Sequence, residues 1–182
     1  MDTLNVRMLG GFTLRWDEQD ELLLPNATTR ALLAYLLAHH EQSHTRDLLS
    51  GLFWPDLPET IARRRLTQAL WHIRKCLAPY PILLTEGDTV RLDPALSLWL
   101  DVAEFEQCAV SDAAQNVARA VALYRGEFLN GYYDDWLLPE RERLRELFLV
   151  ALQRLIADCK ARGDYQHALT HARRLAVEDP WR

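Results

Sequence analysis

The sequence predicts an α+β winged helix-turn-helix over residues 1–96, followed by an all-α, tetratricopeptide-like helical domain over 97–182. Three observations predict it. Apolar and polar residues alternate before Pro25 and again around Gly87, which is the period of strands. Between these stretches the apolar residues recur at helical spacing. Beyond Asp101, segments of helical period follow one another to the end. A sheet, three helices and a hairpin, in that order, make a winged helix with an N-terminal sheet.

Val6 and Met8 alternate with Asn5 and Arg7, and Gly10-Gly11 interrupts the run. Phe12 and Leu14 alternate with Thr13 and Arg15. A turn at Asp17–Asp20 then leads to a third short strand, Leu22–Leu24, ended by Pro25. These form a small antiparallel meander. A first helix, residues 27–40, carries Leu32, Leu33, Leu36 and Leu37 on one face, with Asn26 or Thr28 as its cap. Thr45 caps a second, roughly 46–54, with Asp47 early in it, where the helix dipole favours a carboxylate. The two prolines of Trp54-Pro55-Asp56-Leu57-Pro58 forbid helix continuation.

The third helix starts near Glu59 or Thr60 and ends before Pro79. Ala62, Leu66, Ala69, Leu70, Ile73 and Leu77 share a sector of about 100°. The opposite sector holds Arg64, Gln68, Trp71 and Lys75, with Thr67 and His72 on its shoulders. Ile82–Thr85 and Thr89–Leu92 flank Glu86-Gly87-Asp88, the signature of a hairpin.

In the second half, helices are expected from Asp101, over Asp112–Tyr124, over Glu140–Arg162 and from Gln166 to Val177. Arg125–Trp136 is aromatic and reads as a packed loop. Gly163-Asp164-Tyr165, Ala168-Leu169 and Asp179-Pro180 stand at the spacings of a tetratricopeptide helix hairpin, whose period is about 34 residues. One such unit cannot bury both of its faces. The chain is therefore expected to be truncated, or its last unit to pack on something outside it.

Composition narrows the function. The 182 residues are 49% hydrophobic, enough for a real core. Cys76, Cys108 and Cys159 are odd in number and far apart, which argues against a disulfide framework or a zinc site. The N-terminus reads as no signal peptide, and no apolar run is long enough for a membrane span. A cytoplasmic protein without membrane association is expected. Neither His39, His40 and His44 nor His167 and His171 stand with cysteine or acidic ligands at metal-site spacing. Asp134 and Asp135 are adjacent carboxylates, read as capping and solvation before the long helix. No nucleophile elbow, dinucleotide fingerprint or phosphate loop occurs, so neither an enzyme nor a cofactor is expected.

The net charge is −5, and both halves are acidic. Any contact with nucleic acid must then come from a local patch. Residues 59–78 form one, with Arg63, Arg64, Arg65, Arg74 and Lys75 against the single acid Glu59. A helix fits the major groove, where arginine bonds guanine and glutamine pairs with adenine. Arg64 and Gln68, one turn apart, suit base readout. Arg63, Arg65, Arg74 and Lys75 suit phosphates, which position without specifying. Trp71 is read three ways: against a thymine methyl, stacked on sugar, or packed on the connector. Thr45 and Arg46 open the second helix where a phosphate can bind, or serve as a plain cap and a surface arginine. The bland alternative for the third helix is a solvated face charged for solubility. Its place between a sheet and a hairpin favours readout.

Several strings also resemble one bacterial family. They are Val6-Arg7-x-Leu9-Gly10-x-Phe12, Arg30-Ala31-Leu32-Leu33-Ala34-Tyr35-Leu36-Leu37, Leu52-Phe53-Trp54-Pro55-Asp56 and Gln68-Ala69-Leu70-x-x-x-Arg74-Lys75-x-Leu77. Trp99-Leu100-Asp101-Val102-Ala103-Glu104-Phe105, Tyr124-Arg125-Gly126-Glu127-Phe128-Leu129, and Trp136 with Glu140-Arg141-Glu142-Arg143-Leu144 continue the match over almost the whole chain. The chain resembles the SARP type (antibiotic regulatory protein type) of bacterial transcriptional activators, which join an OmpR-like winged helix to a bacterial transcriptional activator domain. The resemblance implies binding to double-stranded DNA, often at direct repeats, and recruitment of RNA polymerase; in so acidic a chain a single module is expected to bind weakly, so self-association on DNA is expected too. The resemblance places a polymerase-touching loop at Trp54–Pro58, although Trp54 reads equally as a plug of the core. The second wing strand departs from the family's frequent Gly-Tyr-Arg-Leu, reading Thr89-Val90-Arg91-Leu92. Its tip carries Glu86 and Asp88, which phosphate repels, so wing contacts are expected only from Thr85, Thr89 and Arg91. The acidic balance motivates the alternative of a protein-interaction module or scaffold whose winged helix does not bind DNA.

Overall fold

The structure is a computed structural model and describes residues 2–17 and 19–180. The chain divides into two compact units. One holds Met1–Asn5 and Leu14–Leu98, the other Val6–Thr13 and Trp99–Arg182. Strands β1 (Leu4–Arg7), β2 (Thr13–Trp16) and β6 (Leu98–Leu100) form a three-stranded sheet in the order β2-β1-β6.

The expected third strand of the meander, Leu22–Leu24, is not a strand. Its backbone bond to β2 runs from Leu22 N to Leu14 O at 2.8 Å, Leu23 is exposed, and the following Pro25 has no N–H to extend a ladder. The third position belongs instead to β6, a three-residue strand whose Leu-Trp-Leu is too short to show a period.

In the first unit, α1 (Ala27–Ala38) is capped by Asn26, whose Oδ1 accepts from Thr29 N at 2.8 Å. Leu32, Leu33, Leu36 and Leu37 are buried, as their spacing predicts. The next element was not expected: a two-residue strand β3 (His44–Thr45). It leads into α2 (Arg46–Phe53), where Thr45 Oγ1 accepts from Leu48 N at 3.2 Å. Helix α3 (Glu59–Cys76) begins after Pro58, with Glu59 in its first turn and Arg74 and Lys75 in its last, each complementing the helix dipole. Ala62, Leu66, Ala69, Leu70 and Ile73 are buried, which is the predicted apolar stripe.

Strands β4 (Leu83–Glu86) and β5 (Thr89–Leu92) form the predicted hairpin, with Leu83 opposite Leu92 and Glu86 opposite Thr89. Gly87 sits at φ +59, a left-handed conformation that glycine adopts at least cost. Strand β3 pairs antiparallel with β5, His44 opposite Val90, which makes the wing a three-stranded sheet in the order β3-β5-β4.

The second unit holds α4 (Asp101–Ala109), α5 (Ala114–Leu123), α6 (Leu137–Ala161) and α7 (Tyr165–Glu178). Helix α6 starts one turn before the expected Glu140. Asp134 takes part through its backbone oxygen, which accepts from Leu137 N at 3.0 Å. Phe105, Phe128 and Phe148 are fully buried, and Tyr124 stacks flat on Phe148 at 4.1 Å. The segment Val6–Thr13 is tied to the loop after α5: Gly10 N donates to Glu127 O at 3.0 Å and Leu129 N to Met8 O at 2.7 Å. Arginines close the carbonyl ends of three helices. Arg154 donates to Ala109 O, Arg174 to Val121 O and Tyr124 O, and Arg145 to Glu178 O. These oxygens have no partner inside their own helices, so each arginine supplies the missing donors.

Candidate nucleic-acid interface

The exposed face of α3 follows from its buried one. Five apolar residues at three- and four-residue spacing turn Arg64, Gln68, Trp71 and Lys75 to the opposite side, where all four are exposed. Among the described residues, no hydrogen bond or ion pair engages the side chains of Arg64, Arg65 or Gln68. Trp71 is 53% exposed; Lys75 Nζ lies 5.0 Å over its ring, and His72 meets it edge-on at 4.9 Å. The Lys75 stem thus shelters part of an aromatic surface that faces outward.

The other predicted contact residues are already engaged within the protein. Arg63 donates through Nε to Asp47 at 2.8 Å, a second nitrogen also bonds Asp47, and ion pairs reach Asp88 at 3.3 Å and Glu59 at 3.5 Å. The Asp47 hydrogen bond holds the Arg63 guanidinium even further above neutrality than usual. Arg46 donates to Thr67 Oγ1 at 3.2 Å, and Thr67 donates to Arg63 O at 2.9 Å. Arg74 donates to Thr85 Oγ1. On the wing, Thr89 Oγ1 donates to Glu86 O at 2.8 Å and Arg91 to Glu86 Oε1 at 3.1 Å. The backbone N–H of Arg46 donates to Asp88 O at 2.9 Å, so the turn of the wing takes one of the donors that open α2.

Sequence reasoning placed the acids of the wing tip as a source of repulsion. The structure gives them partners: Glu86 pairs with Arg91, and Asp88 with Arg63. Sequence reasoning missed Asp47 as the main partner of Arg63. The signal was available only in part: Asp47 opens α2 and Arg63 stands early in α3, but nothing in their spacing pairs them. Only the packing of α2 on α3 selects that pair.

A cleft of about 360 Å³ opens beside this face, between the first turn of α1, the connector after α2, and α3. Trp54 and Leu57 line it from the connector, and Arg65, Gln68 and His72 from α3. His72 is half-buried there, and Trp54 packs edge-on against Phe53. Among the described residues, no group of three or more histidine, cysteine or acidic side chains is arranged to hold a metal ion, and no helix is long and apolar enough to cross a membrane.

The fold and the exposed face of α3 define a winged helix-turn-helix protein with a helical second domain. Comparison with known proteins names that second domain. Residues 100–182 match the family described as bacterial transcriptional activator domain. No curated protein sequence matches the chain. Among solved structures, the chain is similar to one described as Mycobacterium tuberculosis EmbR in complex with low affinity phosphopeptide. The TM-score is 0.80 and the identity 21%, over 100% of this chain and 52% of that one. At that identity the likeness is one of fold, and this chain spans about half the length of its relative. The second domain is thus similar to the bacterial transcriptional activator domain, and the whole chain shares the fold of that relative, a winged helix followed by helices.

Proposed function

We propose that the chain binds double-stranded DNA sequence-specifically and activates transcription, with α3 in the major groove. One observation carries this reading. Arg64, Gln68, Trp71 and Lys75 form a continuous exposed stripe on a helix whose opposite side is buried, and among the described residues Arg64 and Gln68 have no hydrogen-bond or ion-pair partner. Unpaired arginine and glutamine one turn apart match the hydrogen-bonding edges of guanine and adenine. Arg65, Arg74 and Lys75 supply phosphate contacts. The winged helix spans residues 1–96 and the activator domain 97–182. The activator domain pairs protomers on direct repeats or contacts RNA polymerase. The protein acts in the cytoplasm and catalyses no reaction.

The test is selection of binding sites from a random duplex pool, followed by salt titration on the selected duplex. The expected result is a recurring motif, with affinity falling linearly on a logarithmic scale as salt rises. A second reading, a protein-interaction module, is favoured by one observation: Asp47, Glu59 and Asp88 occupy Arg63, a cation that DNA would otherwise use. Weak binding of every duplex, abolished by moderate salt, would establish that reading instead.

A further inference from the structure

We infer that the cleft between the start of α1, the connector and α3 grips a phosphodiester of the DNA strand that borders the groove read by α3. This rests on the DNA-binding reading above and extends its footprint to residues outside the recognition stripe.

The argument begins with the chemistry of the lining. In a chain of net charge −5, no acidic residue lines this cleft. Four of its lining side chains carry donors: the Arg65 guanidinium, the Thr28 hydroxyl, the Trp54 indole N–H and the Gln68 amide; Asn26, Thr29 and His72 also line it, and the Asn26 oxygen already accepts from Thr29 N. Among the described residues, no hydrogen bond or ion pair within the protein engages any of the four donors. Arg63, two residues from Arg65, is by contrast bound by three carboxylates. Thr28 stands in the first turn of α1, whose early N–H groups and dipole favour negative charge. That end alone would not make a site; the arginine and the donors around it do.

The shape adds a second constraint. Trp54 and Leu57 give the cleft an apolar wall beside the donors. A bare anion has no use for such a wall, but the deoxyribose next to a phosphate does. The position adds a third. Arg65, Gln68 and His72 follow one another at three- and four-residue spacing, so they share a side of α3. Gln68 belongs both to this side and to the stripe of Arg64, Trp71 and Lys75. A duplex whose base edge meets Gln68 therefore brings its backbone past the mouth of the cleft. Phosphate contacts of this kind fix register and carry no sequence information.

The experiment uses the full chain and a duplex selected by it from a random pool. Methylphosphonate is introduced at one backbone position at a time, and affinities are measured for wild type, Arg65→Gln, Arg65→Lys and Thr28→Val. Circular dichroism and thermal unfolding check the fold of each variant. The expected result has three parts. Arg65→Gln lowers affinity for all sequences alike and reduces the salt slope by about one. One backbone position weakens wild type several-fold when neutralised but leaves Arg65→Gln unchanged. Arg65→Lys restores most of the slope. Independent effects of Arg65→Gln and methylphosphonate at every position would overturn the inference, as would an altered base preference in that variant. If Gln68→Ala still changes the preference in that case, DNA reading stands and only the cleft assignment falls. If wild type selects no duplex at all, both fall.

Discussion

The Arg63 guanidinium on α3 donates through Nε to the Asp47 carboxylate on α2 at 2.8 Å, and Asp88 of the wing turn approaches it from the other side at 3.3 Å. One arginine thereby ties the recognition helix to the helix before it and the hairpin after it. The pairs are solvent-exposed, so their worth lies in where they hold the cation rather than in stability. Phosphate would have to displace carboxylates to use Arg63.

Removing those carboxylates should therefore strengthen DNA binding. Asp47→Asn and Asp88→Asn are each expected to raise affinity for selected and unrelated duplexes alike. In the double variant the salt slope steepens by about one, as one more phosphate is neutralised. Sequence preference should stay the same. Fluorescence anisotropy at several salt concentrations measures this; an unchanged slope would show that Arg63 lies out of reach of the backbone.

Arg64 and Gln68 carry the base readout. Arg64→Ala and Gln68→Ala are each expected to lose about 1–3 kcal/mol of discrimination between the selected site and its single-base variants. Affinity for unrelated DNA should change far less for Gln68→Ala, which removes no charge. Competition binding against a panel of single-base variants distinguishes this pattern from uniform weakening.

His44 makes the first unit sensitive to acid. Its ring is buried against those of Tyr35 at 5.1 Å and His39 at 6.0 Å, and among the described residues its Nε2 has no hydrogen-bond partner. Burial pushes its pKa below the usual 6.5, against a smaller opposing effect of the His39 backbone. The unfolded chain then binds a proton more readily than the folded one. Stability is fully present above pH 6.5 and is lost as pH falls from there through the lowered folded value. His171, lowered chiefly by burial, adds to the same trend. Urea unfolding between pH 8 and 5 should show this loss, and His44→Phe should remove part of the slope. The wing should loosen in the same range, because His44 pairs with Val90 of β5.

Asp101, at the start of α4, ties down the chain at Met8 and Leu9 within the second unit. It is buried, and its two oxygens accept from the backbone N–H groups of Met8 at 2.8 Å and Leu9 at 3.0 Å. Asp101→Ala leaves two buried donors without a partner, at about 1–3 kcal/mol for each. Asp101→Asn keeps one acceptor oxygen and should cost less. Chemical denaturation of both variants checks the order, and equal losses would point to charge rather than to the two hydrogen bonds.

The sequence by itself determined the elements whose signal is local. Helix α3 was legible because Ala62, Leu66, Ala69, Leu70 and Ile73 repeat at helical spacing over about three turns. The β4–β5 hairpin was legible because Gly87 can turn left-handed between two alternating runs. The exposed stripe of Arg64, Gln68, Trp71 and Lys75 followed from the same geometry.

What the tertiary structure decided depends on pairs distant in the chain. Strand β6 replaced Leu22–Leu24 in the sheet, because three or four residues carry too little periodicity to reveal which backbone they will pair with. The grouping of Val6–Thr13 with the second unit rests on bonds to Asp101 and to the loop after α5, some 90 and 120 residues away. Among the cations of α3, composition offers five equivalent charges. Packing divides them: Arg63 is enclosed by carboxylates of α2, α3 and the wing, Arg74 is held by Thr85, Lys75 lies over the Trp71 ring, and among the described residues Arg64 and Arg65 have no partner. Charge is a property of the residue, but its availability to a partner is set by which side chains the fold brings within hydrogen-bonding distance.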